Sequence, residues 1–580
     1  MLCFFRVLQV LAAPEGRMTP DAVTGACHAS SGHRIGMSIS SALVTAPAGA
    51  GKIGVISQSG GIISAMVDRA SEFGVGFSHL IATGDEFDLE VADYLNFLVF
   101  DPATAVIAIH AESFKYPQKF LHAANRAREY GNAVLLLKPG RSVEAMQAAM
   151  SHSGRITGSR QVQQAVLERN GVVLVDDIDD LWLAPELIAR HGRLQGKIGA
   201  VSTSGGFTAV VADSLNAAGV PLAKMSEKTI RHIRDTGVHL HPSNPIDAAA
   251  RGVPGLEPDD VEISLRALAA DEEVGATLYA ETLFLNPDGI VDKLIDVSRT
   301  SGKPHITAWQ AGPSMSGAVE RLRSNGVLAV SDVSQAVRAF AVLRRYTEIS
   351  EASHIASPET PAPQWLHHLG AGPVGDQDLP SILATNAIPY VQQVFSASAE
   401  GAAAAAGRMT FPVVLKGHIP DCLHKSELGL VKLNLQSEED VLSEARGIKK
   451  ANPDVSGFIV QSQIKGEEFI VGVNSEENYG AAIVLARGGV FAETAEKVAV
   501  EALPVTPEVA DRMIDIIDPK GILKGYRGKS PLARVALIDF LCSVSRFVEM
   551  NLPRIKEIDF NPVIVTEQNA VAVDAVVILR

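Results

Sequence analysis

A chain of 580 residues with a formal net charge of −15 is too long for one hydrophobic core, and domain-size arguments divide it into roughly three to five domains. An acidic balance without a basic stripe excludes a nucleic-acid surface. Cys3, Cys27, Cys422 and Cys542 are spaced for neither a zinc site nor a disulfide framework, which fits a reducing cytoplasm. The apolar start "MLCFFRVLQVLAAPEG" lacks the basic segment that opens a secretory signal, and no other apolar run approaches the ~20 residues of a membrane span.

In chain order, the first informative stretch is "GKIGVISQSGGIISAMVDRASEFGV" from Gly51. A second copy, "GKIGAVSTSGGFTAVVADSLNAAGV", starts at Gly196 and aligns with it without a gap. Each reads as an apolar strand, a Ser/Gly turn and an amphipathic helix. Small turn residues at a helix start form a natural anion site, because free backbone N–H groups and the positive helix end converge there. The first copy continues through "TAVIAIHAE", "NAVLLLKPG" and "GVVLVDDIDDL", the second through "GATLYAE", "KPHITAWQ" and "GVLAVSD". Strands alternating with helices predict doubly wound parallel sheets, with one α/β domain over residues 46–190 and a second over 191–348.

Between "NAVLLLKPGR" and "GVVLVDDIDDL" lies the polar stretch "AAMSHSGRITGSR". Its histidine, His152, is on this evidence either a solvated loop residue or a chemical one. A Ser-, Pro- and Glu-rich segment over 349–378 reads as a linker. Beyond it the pattern becomes mixed α+β. "GFIVQSQIKGEEFIVGVN" reads as a hairpin turned at "IKGEE". Lys416 ends the strand "FPVVLK", where its ammonium can meet a phosphate or simply face solvent. "HKSELG" follows as a polar turn. In "EIDFNP", Asp559 and Asn561 are two apart on a strand and share a face. Asp574 falls on the expected partner strand after a turn at "EQN". Such oxygen donors suit Mg²⁺ held partly by nucleotide phosphates, or make up a solvated strand face.

Together "SQSGG", "KPGRS" with "SHSGRITGS", "VDDIDDL", "NPID" (Asn244–Asp247), "FPVVLK", "HKSELG", "GYRG" (Gly525–Gly528) and "EIDFNP" resemble the NDP-forming acyl-CoA synthetases, relatives of succinyl-CoA ligase and of ADP-forming acetyl-CoA synthetase. The resemblance implies an α/β multidomain fold, with two flavodoxin-like ligase domains followed by an ATP-grasp domain over 379–580. It implies a reversible ligase that makes acyl-CoA, ADP and phosphate from a carboxylic acid, CoA and ATP, with ATP/ADP, Mg²⁺ and coenzyme A as its small molecules. His152 occupies the place of the family's phosphorylated histidine, and Glu112 that of the glutamate that steadies it. Ser57, Ser59, Gly60 and Gly61, with Ser202, Ser204, Gly205 and Gly206, match the helix starts that hold the phosphoryl group. Lys416, Lys425, Ser426, Gln461, Glu468 and Glu493 match nucleotide contacts. Asn561 and Asp574, with Asp559 beside them, match Mg²⁺ ligands, and His424 matches the second histidine that some ADP-forming members use as a phosphate relay. The implied protein is cytoplasmic, without nucleic-acid or membrane partners, and a homo-oligomer.

The sequence departs from the family in places. Residues 1–45 show no strand–glycine-turn–helix unit where a CoA-binding domain is usual, so CoA binding is expected from a separate subunit, or the activity is impaired or regulatory. A ligase that uses an amine in place of CoA would leave the "SHSG" loop idle. Leu430 replaces a glycine, Arg487 a small residue, and Glu501 a common basic one. A carboxylate facing phosphates weakens nucleotide binding.

Overall fold

The computed structural model describes residues 26–29, 49–139, 160–236, 243–249, 258–282, 287–351, 366, 369–420, 428–476, 478–489, 497–519, 521–525 and 530–580. His152, His424, Lys425, Ser426 and Glu493 lie outside them. The described residues fall into two units. One holds the chain up to 139 and again from 170 to 351; the other holds 160–169 and the chain from 366 onward. No described helix is long and apolar enough to cross a membrane.

In the first unit, β1 (Ala26–Ala29), β2 (Ala50–Ser57), β3 (Phe77–Ala82), β4 (Val106–His110), β5 (Ala133–Leu137) and β6 (Val172–Val175) form one sheet in the order β1–β3–β2–β4–β5–β6. Only β1 runs antiparallel to its neighbour. A second sheet joins β7 (Lys197–Ser202), β8 (Ile246–Asp247), β9 (Val274–Glu281), β10 (His305–Trp309) and β11 (Leu328–Val330) in the order β11–β10–β9–β7–β8, all parallel. With β1 set aside, both sheets have the flavodoxin-like order 2-1-3-4-5, whose switch point lies beside the first strand. Parallel sheets are covered on both faces. That is why β4 and β9 are buried along their whole length and why their sequences lack the polar alternation of a one-faced strand.

The repeated turns start α1 (Gly60–Ser71) and α3 (Gly205–Ala217). α2 (Leu183–His191) and α4 (Val333–Glu351) complete a core that runs through both sheets of this unit. Ile63, Met66 and Val67 of α1, Leu187 of α2, Val211 and Leu215 of α3, and Val337 and Phe340 of α4 all bury in it. α4 extends to Glu351, into the stretch read from sequence as linker. A polar joint crosses the same interface. Arg69 of α1 donates two hydrogen bonds to Asp179, the one to Oδ2 at 2.5 Å. Gln335 of α4 donates to the same carboxylate at 2.8 Å, and Arg338 reaches Asp180 at 3.4 Å. Thus "VDDIDDL" ties the helix that begins at the first turn to a helix of the second sheet.

The second unit holds two sheets. β13 (Gln393–Ser396), β16 (Gly457–Ser462), β14 (Val413–His418) and β15 (Val431–Leu435) form a four-stranded antiparallel sheet. β12 (Gly372–Pro373), β22 (Ala575–Leu579), β20 (Ile555–Val565), β17 (Glu467–Glu476), β18 (Gly480–Arg487) and β19 (Val498–Ala502) form the other, with β21 (Ala570–Ala572) on β20. The hairpin expected at "IKGEE" is not made. Both strands exist, but β16 pairs in the small sheet and β17 in the large one. At the crossing, a side chain on Gly466 would sit 2.4 Å from the Val565 carbonyl oxygen, so the chain passes β20 too closely for any residue but glycine. α5 (Glu438–Ala451) shows how its own sequence sets a helix. The Ser437 hydroxyl accepts from Asp440 N–H, acids fill the first turn, and Lys449 and Lys450 end it. Leu430 is fully buried in the small sheet's core, so this departure is filled by packing.

Burial raises the Asp180 carboxyl to about 6, with Arg338 opposing the shift. The folded state therefore holds this proton more tightly than the unfolded chain. The resulting stabilisation, about 3 kcal/mol at most, is present below pH ~4 and is lost as the pH rises through about 6. Asp180→Asn should remove that dependence, so denaturant unfolding should show the variant gaining on wild type between pH 4 and 7. A difference independent of pH would contradict it.

Candidate functional site

Each Ser/Gly turn is built by the last residue of its strand. Ser57 is fully buried. Its hydroxyl donates to the Ser59 carbonyl at 2.8 Å and accepts the Ser59 N–H at 3.0 Å. It also lies 3.1 Å from His110 Nδ1, which then carries the proton. Burial pushes the His110 imidazole below its usual range, against the charge of Glu112. Ser59 occupies the N-cap of α1 in extended conformation, yet its hydroxyl makes no cap hydrogen bond. The second turn repeats this. Ser204 N–H donates to Ser202 Oγ at 3.1 Å, and the Ser204 hydroxyl leaves α3 uncapped. A serine at the N-cap ordinarily satisfies one of the first-turn amides. Here those amides face outward at the carboxyl ends of the strands, at the switch point of each sheet, where an anion meets both N–H donors and the helix dipole.

Around the first turn, Gln58 acts as a clamp. Its amide donates to the Ser113 carbonyl at 2.8 Å and to Glu86 Oε1 at 3.1 Å, and accepts the Glu112 N–H at 2.7 Å. This fixes Glu112 just past the end of β4, beside the turn. Around the second turn two carboxylates appear. Asp247 ends β8 so close to the helix start that a side chain on Gly205 would meet its Oδ2 at 2.7 Å. Glu281, almost fully buried at the end of β9, accepts from the Tyr279 hydroxyl at 2.5 Å, from the Thr282 N–H at 2.8 Å and from the Thr203 hydroxyl. Burial, followed by the charge of Glu281, raises the Tyr279 phenol well above its usual range. Asn244 of "NPID" serves the sheet: its side chain bonds Ile198 and Ala223 carbonyls and the Ala200 N–H.

In the second unit, Lys416 is buried on the face of β14 that points away from the helices. Its ammonium donates to the Val573 carbonyl at 2.8 Å and lies 3.4 Å from Asp574 Oδ2. Asp574 sits in the break between β21 and β22 rather than within a strand. Its carbonyl accepts the Asn561 N–H at 3.3 Å, so Asn561 and Asp574 are brought together, with Asp559 two residues before Asn561 on β20. Gln461 is buried and donates to Gln393 at 2.7 Å; Tyr390 bonds Gln461, and its phenol is pushed up by burial and by Asp574 and Asp376. His418 Nδ1 pairs with Asp376 at 2.7 Å. Glu468 is exposed on β17 beside Gly488 and Gly489. Arg487 is occupied by an ion pair with Glu467 at 2.9 Å and stands 3.9 Å from Asp518. Sequence reasoning passed over Gln58, Glu281, Tyr390 and the Asp376–His418 pair, and quoted Asp247 in "NPID" without a role of its own. Asp247 and Glu281 carried a signal, each being an acid at the end of a strand that leads to a turn; the others are joined only by long-range contacts.

The glycine geometry separates two neighbours. Gly206→Ala meets nothing within 4 Å, whereas Gly205→Ala drives into Asp247. Urea unfolding should find Gly206→Ala neutral or slightly stabilising and Gly205→Ala weaker by about 1–2 kcal/mol. Equal effects would contradict the packing of Asp247 against the turn.

Residues 50–188 match the model of the succinyl-CoA ligase like flavodoxin domain, and residues 374–579 that of an ATP-grasp domain. The chain is 30% identical over 541 residues to an ADP-forming acetate–CoA ligase of Archaeoglobus fulgidus, which spans 90% of this chain and 77% of the relative. It is 29% identical over 557 residues to a trans-feruloyl-CoA synthase from an unidentified prokaryote, covering 92% and 77%. A 214-residue stretch, 36% of this chain, is 34% identical to the beta subunit of acetate–CoA ligase I of Pyrococcus furiosus and covers 92% of it. By descent as well as by architecture, the chain belongs to the ADP-forming acyl-CoA synthetase family.

Proposed function

We propose that the chain joins a carboxylic acid to CoA at the expense of ATP, reversibly, with the phosphoryl group carried on His152. The observation that supports this most strongly is the pair of uncapped helix starts, Ser57–Gly61 and Ser202–Gly206, built alike at two switch points. In the forward direction the His424 imidazole takes the γ-phosphoryl group of ATP as ADP leaves, and the neutral His152 imidazole then attacks that phosphorus and restores His424. The phosphohistidine then gives its phosphoryl group to the acid, forming an acyl phosphate and restoring the imidazole. The CoA thiolate displaces inorganic phosphate to give the thioester. The two turns hold the phosphoryl dianion where it is transferred. Glu112, positioned by Gln58, bonds one imidazole nitrogen and leaves the other to react.

At the nucleotide end, Lys416, Lys425, Ser426, Gln461, Glu468 and Glu493 contact ATP, and His424 relays the phosphoryl group. The donor set of Asp559, Asn561 and Asp574 fits Mg²⁺, being all oxygen with Lys416 beside Asp574 to balance charge. Mg²⁺, when bound there, offsets the charge of the nucleotide phosphates. CoA is the thiol substrate, and a separate CoA-binding subunit is a proposed partner. The protein is a cytoplasmic homo-oligomer. Relatives of nearly equal similarity are named for acetate and for ferulate, so family membership does not choose the acid.

Incubation with γ-labelled ATP and Mg²⁺ should attach an acid-labile, base-stable label. His152→Ala should remove the share of label carried on His152 without changing thermal stability, leaving at most the label on the His424 relay, and His424→Ala, tested in parallel, should slow the appearance of label. Full labelling of the His152 variant would overturn the carrier role.

A further inference from the structure

The two turns are copies, and the copies differ in charge. Ser57 of β2 pairs with Ala82 on β3, whereas Ser202 of β7 pairs with Asp247 on β8. A carboxylate therefore stands at the second turn where the first has a methyl group. Asp247 Oδ1 accepts the Ala249 N–H at 3.0 Å, and that bond leaves Oδ2 turned to Gly205, the first residue of α3. The clamps differ as well. Gln58, second in the first turn, is a neutral amide that accepts the Glu112 N–H. Thr203, second in the other turn, donates its hydroxyl to the buried Glu281 carboxylate. The residue after the fourth parallel strand of each sheet completes the contrast. After β5 it is Lys138, whose ammonium donates to the Glu112 carbonyl at 3.2 Å. After β10 it is Gln310, which carries no charge. Among the described residues, no lysine or arginine pairs with Asp247 or Glu281.

We propose that the two turns are unequal phosphoryl sites, the first tight and the second loose, and that Asp247 is the specificity-determining residue that sets the difference. This rests on the function proposed above. Both helix starts offer backbone amides and the same dipole, so the side chains around them decide. A unit charge a few ångströms from a phosphoryl dianion changes its affinity by about tenfold or more. Asp247 Oδ2 lies against the first residue of α3 and opposes a dianion there, while Lys138 favours one at the first turn. Glu281 adds to the opposition, but its oxygens are held by the Thr203 and Tyr279 hydroxyls and the Thr282 N–H, which leaves Asp247 as the less compensated charge. Equal grip at both turns would lower the energy of the bound phosphoryl group without helping it leave. A tight stop and a loose one let the carried group rest at the first and be given up at the second.

Calorimetric titration of the whole chain with inorganic phosphate tests this. Gly61→Asp and Gly206→Asp each place a carboxylate in the first turn of one helix. An added side chain meets nothing closer than 3.8 Å at Gly61 and nothing within 4 Å at Gly206, so each variant blocks its own turn by charge and leaves the other to be read. The double variant gives the background from any other site. Kd at the first turn, read in Gly206→Asp, should be at least about tenfold lower than at the second, read in Gly61→Asp. Adding Asp247→Asn to Gly61→Asp keeps an acceptor for Ala249 and should close most of that gap. Asp247→Ala, which copies Ala82, gives the same reading should the asparagine variant unfold. Adding Lys138→Gln to Gly206→Asp should weaken the first turn. Equal Kd values in the two blocked proteins, or a second-turn Kd unmoved by removing the Asp247 charge, overturn the proposal and leave the proposed function standing. Phosphate bound at neither turn, in wild type or in any variant, overturns the proposal together with the turns' part in that function.

Discussion

The fold depends on a hydroxyl taken out of its usual work. At the end of β2 the buried Ser57 hydroxyl bonds both the carbonyl and the N–H of Ser59, and Ser202 Oγ likewise accepts the Ser204 N–H. The cap residue therefore needs no further partner, and its helix keeps an unfilled positive end. A helix start of this kind is worth about 0.3–1 kcal/mol to an anion at the surface and up to ~2 kcal/mol when partly buried. Two are present in the same unit, each with carboxylate chemistry nearby: Glu112 at the first, Asp247 and Glu281 at the second. Negative groups beside an anion site weaken simple anion binding. They make sense where a cationic or proton-bearing carrier arrives with its anion.

The turns would be of little use if they moved independently. α1 begins at the first turn, and its last turn is tied through Arg69 to Asp179, which Gln335 of α4 also grips. Apolar packing surrounds this joint, with Phe73 against Trp182 at 4.5 Å. The buried acid pair is an expensive way to join helices, as the raised Asp180 carboxyl indicates. It is also directional, and that fixes the rotation of α1 about its own axis in a way that apolar contacts alone do not.

Much of this was legible in the sequence because it is local. The repeat at Gly51 and Gly196, the alternation of strands with helices and the Ser/Gly turns all depend on neighbours in the chain. The flavodoxin-like sheets follow from that alternation and the short-connection rule. Pairing was less legible. β16 and β17 are adjacent in sequence and alternate well enough for a hairpin, but each is claimed by a different sheet. Lys416 was found as a residue type, while its partners Val573 and Asp574 lie 157 and 158 positions away. Arg487 stood out as a departure, and the structure accounts for it through Glu467, twenty positions earlier on the adjoining strand.

The central claim is that both turns hold a phosphoryl group by backbone amides. A crystal structure with inorganic phosphate tests it most directly. The account predicts phosphate oxygens about 3 Å from first-turn N–H groups of α1 or α3, with the Ser57 and Ser202 hydroxyls still bonded to the Ser59 and Ser204 amides. Phosphate bound elsewhere, with the Ser59 and Ser204 hydroxyls swung in to cap their own helices, would contradict it.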